Sequence, residues 1–344
     1  MAEWISNIPS VSEFSGHELV NDVSIIIREA GERTLALCRA LAEAAVGSER
    51  VAIVSEVPSE KGLRRVFELG CEMDTPWILE LDADVLLRGG AVQELVHVAN
   101  QLDENVFLVQ GQILDKLCQG FRDAGQHLYR TSLLRTGLGF IPPEGEFFRP
   151  ETLTFQSMKL AGFPFLTVTH IVTGLHDHEQ YLRDVWRKAF FHAAKHSFWT
   201  PYVRPMWRRL GQTESDFRAA LLGLERGLNS KMKVRPDIRL FDPGEIKRHL
   251  LDHGLEEKPE LPADAMTLED VSRRIAEFVP PPEYWNLMVA WGTPAPEKSA
   301  PEKIRDFVSE KGFFRLLPWL LGAGLTRIGQ KLKNAASRPE RIEL

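Results

Sequence analysis

The first half of the chain alternates short runs of β-branched residues with segments of helical spacing, and this alternation restricts the possible folds more than any other feature. The β-branched runs stand at residues 23–27, 51–57, 77–87 and 106–114. The segments of helical spacing stand at residues 32–45, 61–69 and 91–102. Strands that alternate with helices of this length predict one mostly parallel sheet with helices on both faces. We therefore expect an α/β, Rossmann-like fold, which binds ligands at the carboxyl ends of its strands.

The pattern changes near residue 180, after which helical spacing dominates. Helical segments stand at residues 180–195, 214–228, 244–255, 268–278 and 301–311. Proline-rich joints, which are typical of linkers, stand at residues 279–283 and 292–303. We predict an α/β domain over residues 1–180, a helical extension over 181–291 that packs on or near the site, and a linker with a C-terminal amphipathic helix over 292–344.

Composition excludes several classes of protein. Hydrophobic residues make up 44% of the chain and charged residues 26%, so a sizeable core is expected and wholesale disorder is excluded. Lys and Arg number 42 against 48 Asp and Glu, and the net charge of −6 argues against a protein that binds nucleic acid through its overall charge. The 3 cysteines form no CxxC pair, which favours a reducing compartment.

The chain shows neither the pattern of a secretory signal nor an uncharged apolar run of about 18 residues, so we expect a cytoplasmic protein. Its segment 311–338 is nevertheless rich in Lys and Arg and contains no Asp or Glu. This segment has two interpretations. The sequence favours an amphipathic helix against the protein's own core, and the alternative is peripheral contact with the inner face of the cell membrane.

Two aspartates, Asp82 and Asp84, stand where an apolar strand ends. Two carboxylates separated by one residue at a strand end can together hold a hard divalent cation that also contacts a diphosphate. The simpler interpretation is that both acids solvate the strand end and begin the turn into the helix at residues 91–102. Such a pair is common by chance, so the surrounding sequence must distinguish the two interpretations.

The surrounding sequence resembles the family-two glycosyltransferases, which are nucleotide-sugar enzymes with the GT-A fold. Residues 23–32, VSIIIREAGE, resemble the opening strand of that family, and residues 51–56 resemble its second strand with an acidic end. Residues 78–84 resemble the strand that carries its DxD motif. Residues 127–140, HLYRTSLLRTGLGF, are similar to the passage where its chain crosses to the acceptor side. The resemblance covers roughly residues 20–180.

The spacing on the acceptor side also resembles this family. Its acceptor-side helix opens with a Glu-Asp pair, reaches a glycine eleven residues after the Asp, and is followed by a histidine about fourteen residues later. Here Glu151, Gly162 and His176 have these separations. The residues between them are also expected to form a helix, a glycine stop and a strand. Glu151 departs from the family, which has an Asp at the matching position.

The resemblance implies a metal-dependent, inverting glycosyltransferase. Such an enzyme moves a sugar from a nucleoside-diphosphate sugar to a hydroxyl of a glycan, a lipid-linked or a small-molecule acceptor, as in glycan or polysaccharide synthesis. Mn²⁺ or Mg²⁺ held by Asp82, Asp84 and His176 would neutralise the leaving diphosphate. Glu151 would take the proton of the acceptor hydroxyl as general base.

Further donor contacts are expected at Asp82 and at the ends of the first two strands. The resemblance implies that Arg28 and Glu29, at the end of the first strand, contact the donor, and that Glu56, at the end of the second, does so as well. Arg28 replaces the proline of the family's motif, and it is equally well interpreted as a surface residue at a strand end. Ser55 replaces one acid of a pair, so only Glu56 retains a carboxylate there. The base and sugar of the donor therefore stay open.

The segment 175–196, LHDHEQYLRDVWRKAFFHAAKH, resembles a bacterial branch of the family. The resemblance implies that Arg183 and Arg187 are available to the diphosphate. The sequence slightly favours the alternative that these arginines form salt bridges with Asp184 or Glu179.

The sequence contains other candidates for a metal site and for the general base. A zinc cluster of His176, His178, His192 and His196 is disfavoured, because HExxH is absent and histidines on such a helix usually pack or lie on the surface. Alternative bases stand in the loop at Glu144 and Glu146, where simple solvation of the loop explains them at least as well.

Three other functions use related features. A nucleotidyltransferase also pairs such a sheet with acids that hold a metal, but it opens with a glycine-rich basic loop, whereas residues 28–33 contain one glycine and two acids. A phosphatase would need a Thr-Gly pair and a later lysine motif that do not follow Asp82. A catalytically degenerate module that only binds a sugar nucleotide is the non-enzymatic alternative.

Overall fold

A computed structural model describes residues 19–146, 149–195, 199–230 and 237–292. The strands are β1 (Val23–Arg28), β2 (Val51–Val54), β3 (Trp77–Asp82), β4 (Val85–Leu87), β5 (Leu108–Asp115), β6 (Gly120–Arg122), β7 (Gln126–Arg130) and β8 (Phe165–His176). The first helices are α1 (Leu35–Val46), α2 (Ser59–Gly70), α3 (Ala91–Asn100), α4 (Thr131–Leu138) and α5 (Pro150–Leu160). The later helices are α6 (Leu182–Lys195), α7 (Thr200–Leu210), α8 (Ser215–Leu228), α9 (Pro243–Asp252), α10 (Leu268–Ala276) and α11 (Pro282–Gly292).

The strands form one 8-stranded sheet in the order β2-β1-β3-β7-β5-β8-β4, with β6 paired to β5. In this sheet β1, β2, β3, β5 and β8 run in one direction, and β4, β6 and β7 run in the other. The predicted α/β architecture with a mostly parallel sheet is therefore confirmed. The antiparallel pair β5 and β6 arises because a short turn joins them, and a short turn can connect only antiparallel neighbours.

Alternate side chains of a strand point to opposite faces of the sheet. Ile25 and Ile27 of β1 belong to a hydrophobic cluster that includes residues of α1, α3 and α10. Ile26, between them, belongs to a second cluster with residues of α2, α4 and α5. Both faces of the sheet are therefore covered by helices, as a strand that is apolar at every position requires.

The helical extension is also confirmed, and it has a hydrophobic cluster of its own, built mainly from α6, α7, α8 and α9. Helices α6 and α8 approach closely because Gly223 and Gly227 of α8 lie against the backbone of α6, where an added Cβ would collide with Trp186 and Phe190. Trp207 of α7 donates a hydrogen bond from Nε1 to the carbonyl oxygen of Leu117 at 2.8 Å. This bond ties the extension to the turn after β5.

Several features differ from the sequence-based expectation. The segment 77–87 is not one strand, because the chain turns after Asp82. β3 pairs with β1 and β7, whereas β4 pairs with β8. The strands β6 and β7 and the helices α4, α7 and α11 were not predicted, and α11 begins within the segment 279–283 that was expected to be a linker. The predicted helix at residues 301–311, nearly all of the predicted linker at 292–303 and the basic segment 311–338 lie outside the described residues. In the described part of the chain, no helix has both the length and the apolar character needed to cross a membrane.

Candidate functional site

A cleft with a volume of about 560 Å³ lies at the carboxyl ends of β1, β3 and β8. Arg28, Asp82 and His176 are the last residues of these strands, and all three line the cleft. Asp84, just beyond β3, and Glu151, in the first turn of α5, line it as well. Strands of one direction end at the same edge of a sheet. For this reason the residues that the sequence assigned to metal binding and catalysis share one cleft, although they are remote along the chain.

Asp84, His176 and Asp177 form a buried group that offers metal ligands. One ligand atom from each residue lies within 4.8 Å of those from the other two. Val85 of β4 lies opposite His176 of β8, which brings Asp84 to the end of β8. Among the described residues, Asp84 Oδ1 has no hydrogen-bond partner, and His176 Nε2 lies 3.5 Å from it. Carboxylate oxygens with an imidazole nitrogen suit a divalent ion such as Mn²⁺, so the donor set fits a metal.

This group differs in one member from the predicted set of Asp82, Asp84 and His176. Asp82 accepts hydrogen bonds from Arg28, and Asp177 stands with Asp84 and His176 instead. Asp177 has a φ of 62°, in the left-handed region, and its N–H donates to the carbonyl oxygen of Asp84 at 3.2 Å. The turn at the end of β8 therefore directs Asp177 to the group, and no spacing rule in the sequence predicts this turn.

The ammonium group of Lys188, on α6, contacts carboxylate oxygens of both Asp84 and Asp177. Burial alone would lower the pKa of Lys188, but the two carboxylates outweigh burial and raise it above its usual range. We call Asp84, His176, Asp177 and Lys188 the Lys188 cluster. Lys188 is not among the residues predicted from the sequence. One sequence feature could have indicated Lys188. It is a charged residue three positions after the buried Val185, on the side of α6 that is otherwise expected to pack against the protein.

His176 is oriented by another buried acid, Asp115. His176 Nδ1 lies 2.9 Å from Asp115 Oδ2, and Arg122 Nη2 contacts the same oxygen at 2.5 Å. Burial alone would lower the pKa of His176, but Asp177 and Asp84 outweigh it and raise this pKa to about 10. The two carboxylates therefore favour the protonated imidazole, which must lose its proton when it binds a metal.

Arg28 joins three acids on the other side of the cleft. Its Nη2 lies 2.8 Å from Asp82 Oδ1, and its Nη1 lies 3.1 Å from Glu80 Oε1 and 2.7 Å from Glu151 Oε1. We call Arg28, Glu80, Asp82 and Glu151 the Arg28 cluster. Glu151 follows Pro150 at the start of α5, where an acidic side chain also interacts favourably with the helix dipole. The residue that replaces the proline of the family motif thus connects the DxD strand to the predicted base.

Glu80 is the most deeply buried acid of the Arg28 cluster, and it is not among the residues predicted from the sequence. Its Oε2 accepts a hydrogen bond from the Tyr129 hydroxyl at 2.8 Å and lies 3.0 Å from His127 Nδ1. Burial alone would raise the pKa of Glu80, but Arg28 and the contacts of His127 and Tyr129 outweigh burial and lower this pKa to about 2. Glu80 is therefore ionised, and its charge balances that of Arg28. Alternation along β3 could have indicated it, because an acid two residues before Asp82 lies on the same face.

Four predicted donor contacts do not line the cleft. Glu56 is exposed and lines a separate pocket, because β2 lies beyond β1 at the edge of the sheet. Glu29 accepts a hydrogen bond from the N–H of Gly31 at 2.7 Å. Neither residue is among those that line the cleft with Asp82 and Asp84.

The other two are the arginines of α6. Arg187 lies 3.3 Å from Asp184, which is one of the salt bridges the sequence offered as an alternative. Arg183 stacks on Tyr181 at 3.8 Å from the ring centre and lies 3.8 Å from Glu257. Adjacent residues of a helix point about 100° apart, so the orientation that directs Lys188 into the cleft turns Arg187 away from it.

Among the described residues, the alternative candidates other than His176 are not members of the metal-ligand group. His178 is half-buried and lies outside this group, His192 lines the cleft on α6, and His196 lies outside the described residues. Glu144 is in an exposed loop, where it pairs with Arg239 at 2.7 Å. Glu146, two residues later, is exposed as well.

No protein-family model matches the sequence, and no curated protein matches it. Solved structures match part of it. A glycosyltransferase involved in the glycosylation of the major capsid of PBCV-1 has a TM-score of 0.32 and 12% identity, covering 43% of this chain and 81% of its own. A cytidylyltransferase from Leptospira borgpetersenii has a TM-score of 0.30 and 11% identity, with coverages of 44% and 76%. A CMP:2-keto-3-deoxy-manno-octonic acid synthetase has a TM-score of 0.31 and 13% identity, with coverages of 45% and 92%. Similarity at this level assigns no activity to the chain.

Proposed function

We propose that the chain is a metal-dependent, inverting glycosyltransferase that moves a sugar from a nucleoside-diphosphate sugar to an acceptor hydroxyl. The observation that supports this most is the meeting of Asp82, Asp84, Glu151 and His176 in one cleft at the carboxyl ends of the strands. A cleft of about 560 Å³ is in the range of small-molecule sites. On this proposal residues 1–180 form the catalytic domain, and the extension over 181–291 contributes Lys188.

The donor would bind on the side of the Lys188 cluster. Asp84, His176 and Asp177 are the residues that would hold Mn²⁺ or Mg²⁺, which when bound neutralises the charge that develops on the departing diphosphate. Asp82, at the boundary between the two clusters, would contact the sugar nucleotide. Its carboxylate is kept in place by two hydrogen bonds from Arg28.

The acceptor would bind on the side of the Arg28 cluster, with Glu151 as general base. Arg28 contacts Oε1 of Glu151 at 2.7 Å, and we assign Oε2 to the proton of the attacking hydroxyl. The hydroxyl oxygen then forms a bond to the anomeric carbon on the face opposite the leaving diphosphate, so the configuration inverts. Arg28 holds the carboxylate in the orientation that this step requires.

The first test is binding. A panel of nucleotide sugars and nucleoside diphosphates is screened by thermal melting with and without Mn²⁺, because a ligand that binds only the folded state raises the midpoint. We expect stabilisation by at least one nucleoside diphosphate or its sugar, and this stabilisation should increase with Mn²⁺. If no nucleotide shifts the midpoint, the proposal is wrong.

The second test is turnover. The stabilising donor is incubated with acceptors, and release of nucleoside diphosphate is measured for the wild type, Asp84→Ala and Glu151→Gln. Loss of release in both variants supports the proposal. Binding without turnover in the wild type would indicate the degenerate binding module. Release of pyrophosphate from a nucleoside triphosphate would instead indicate a nucleotidyltransferase.

A further inference from the structure

The Lys188 cluster already contains a cation that belongs to the chain. Lys188 contacts one oxygen of Asp84 and one of Asp177, and these two acids belong with His176 to the group that could hold a metal ion. The side chain of Lys188 is 21% exposed, and those of Asp84 and Asp177 are 7% and 2% exposed. The three charges are therefore in a setting that solvent screens only weakly.

The backbone position of Lys188 is fixed by packing and does not depend on the charges alone. Gly223 and Gly227 of α8 seat the backbone of α6 at Trp186 and Phe190, on both sides of Lys188 in sequence. The extension therefore delivers the ammonium group to the acids. The long side chain still has the rotamer freedom to move away, because a lysine has four carbons between its Cα and its nitrogen.

The charges decide what can share the site. An ammonium between two carboxylates gives each of them one charge-assisted hydrogen bond. A divalent ion bound to the same two carboxylates would lie next to that ammonium, and two cations in contact repel strongly in a weakly screened site. Lys188 and the metal ion cannot therefore occupy the group at the same time without a large penalty.

We infer that Lys188 occupies the cation position of this site in the unliganded protein, so that a divalent ion binds only after Lys188 leaves Asp84 and Asp177. Lys188 is thus a positioning residue that competes with the metal. The inference rests on the proposed function in one respect only, namely that the metal ion at this position would bind the diphosphate of the donor. Metal binding itself can be tested without a donor.

The competition is tested by titrating the full chain with Mn²⁺ and following the electron paramagnetic resonance signal of the free ion. We expect Lys188→Met, which removes the charge and keeps much of the side-chain volume, to bind Mn²⁺ at least about tenfold more tightly than the wild type. Lys188→Arg keeps a cation and should bind as weakly as the wild type. Equal affinity in the wild type and Lys188→Met, or no binding in either, would overturn the inference.

Lys258→Met is the matched control. Lys258 Nζ lies 2.5 Å from Asp216 Oδ1, and its side chain is 20% exposed, close to the 21% of Lys188. This substitution also removes a lysine from a buried acid, but Asp216 does not line the cleft. We expect Mn²⁺ affinity to be unchanged in Lys258→Met. If Lys258→Met gained as much affinity for Mn²⁺ as Lys188→Met, the loss of any positive charge would be enough to strengthen metal binding, and the inference would fail.

A measurement on the wild type keeps the inference testable if Lys188→Met does not fold. The protein is acetylated briefly with acetic anhydride, and the modification of each lysine is quantified by mass spectrometry. Saturating Mn²⁺ should increase the acetylation of Lys188 at least about threefold, because displacement exposes its nitrogen, whereas Lys258 should not change. Bound Mn²⁺ with no change at Lys188 would contradict the inference.

The outcomes separate this inference from the proposed function. If no nucleotide sugar stabilises the protein but the contrast between the wild type and Lys188→Met in Mn²⁺ affinity is observed, the glycosyltransferase proposal fails and the competition stands. If a nucleotide sugar stabilises the protein and the contrast is absent, the competition fails and the proposed function stands.

Discussion

The cleft has two charged sides that are built in different ways. The Arg28 cluster takes its cation from β1 and its acids from β3 and α5, so the sheet and its covering helices supply all of it. The Lys188 cluster takes its acids from the ends of β3 and β8, but its cation comes from α6 of the helical extension. One side of the site is therefore complete within the α/β domain, and the other depends on how the extension packs.

The DxD segment connects these two sides. Asp82 is the last residue of β3 and pairs with Arg28, whereas Asp84 lies beyond the strand and pairs with Lys188. Within a continuous strand, residues two apart would share a face. The turn after Asp82 separates them, so each carboxylate has a different cation as partner. We conclude that proximity in sequence did not determine the grouping of the acids.

The largest effect on the rate of sugar transfer is expected from a substitution of Glu151, the proposed general base. Glu151→Gln removes the proton acceptor, and because general base catalysis contributes about 10²- to 10⁴-fold, the rate of sugar transfer should fall by at least about a hundredfold. Donor binding, measured by the thermal shift with nucleotide sugar, should persist, because the donor is assigned to the other side of the cleft.

Glu144→Gln is the control for this experiment, since Glu144 pairs with Arg239 in an exposed loop. It should keep the wild-type transfer rate. If Glu151→Gln remains active and Glu144→Gln does not, the base has been assigned to the wrong residue and the division of the cleft into donor and acceptor sides no longer holds.

The next effect concerns the stability of the Arg28 cluster. The contacts that lower the pKa of Glu80 from 4.5 to about 2 favour its ionised form in the folded state by roughly 3 kcal/mol. A lowered pKa contributes stability that is present above the unfolded-state pKa and is lost as the pH falls through the folded-state value. Glu80→Gln should therefore unfold with a free energy roughly 3 kcal/mol smaller at pH 7.

Denaturant unfolding of the wild type and Glu80→Gln across a pH series checks this prediction. The difference between them should be constant above about pH 5 and should shrink between pH 4.5 and 2, which are the two ends of the pKa shift. A difference that does not change with pH would mean that Glu80 contributes by packing and not by its charge.

A smaller effect is expected from disturbing the extension. Gly223→Ala places a methyl group against the backbone of Trp186 and should lower the free energy of unfolding by about 1 to 3 kcal/mol through overpacking. Because α6 then shifts, acetylation of Lys188 in the absence of metal should increase. Gly89→Ala is the control, because a Cβ there meets its nearest neighbour at an ordinary 3.5 Å. Equal destabilisation by both variants would show that α6 is not held by this contact.

The smallest effects are expected at residues that resemblance assigned to the donor but that lie outside the cleft. Glu56→Gln and Arg187→Gln should each change the affinity for a nucleotide sugar by less than about twofold, because Glu56 is exposed near another pocket and Arg187 pairs with Asp184. Titration calorimetry with the stabilising nucleotide sugar measures this affinity in the wild type and in each variant. A tenfold loss in either variant would extend the donor site beyond the cleft.

Much of the fold could be predicted, because strands and helices leave local periodic patterns. The buried run of β1 and the helical spacing of α1 were identified in this way. The convergence of Asp82, Glu151 and His176 was also predictable, since strand ends and a helix start at the same edge of a sheet lie close together. β7 escaped prediction because QHLYR is short and only partly apolar.

The contacts that Glu80 and Asp177 make with other segments of the chain could not be predicted from the sequence. Glu80 is hidden inside an apolar strand, and its role depends on Tyr129 and His127 of the neighbouring β7. Asp177 reaches the metal-ligand group only because the chain adopts a left-handed conformation at the end of β8. In both cases the decisive contacts join segments that no local pattern relates.

The sequence by itself determined the α/β architecture, the acids at the end of the third strand and the positions of Glu151 and His176, because periodicity and strand ends are local properties of a chain. Tertiary structure alone decided that Asp82 pairs with Arg28, that Asp177 joins Asp84 and His176, and that Lys188, rather than Arg187, faces them. These outcomes depend on the register of β4 with β8 and on the rotation of α6 against α8. Such relations between distant segments follow from packing in three dimensions and leave no periodic signal in the sequence.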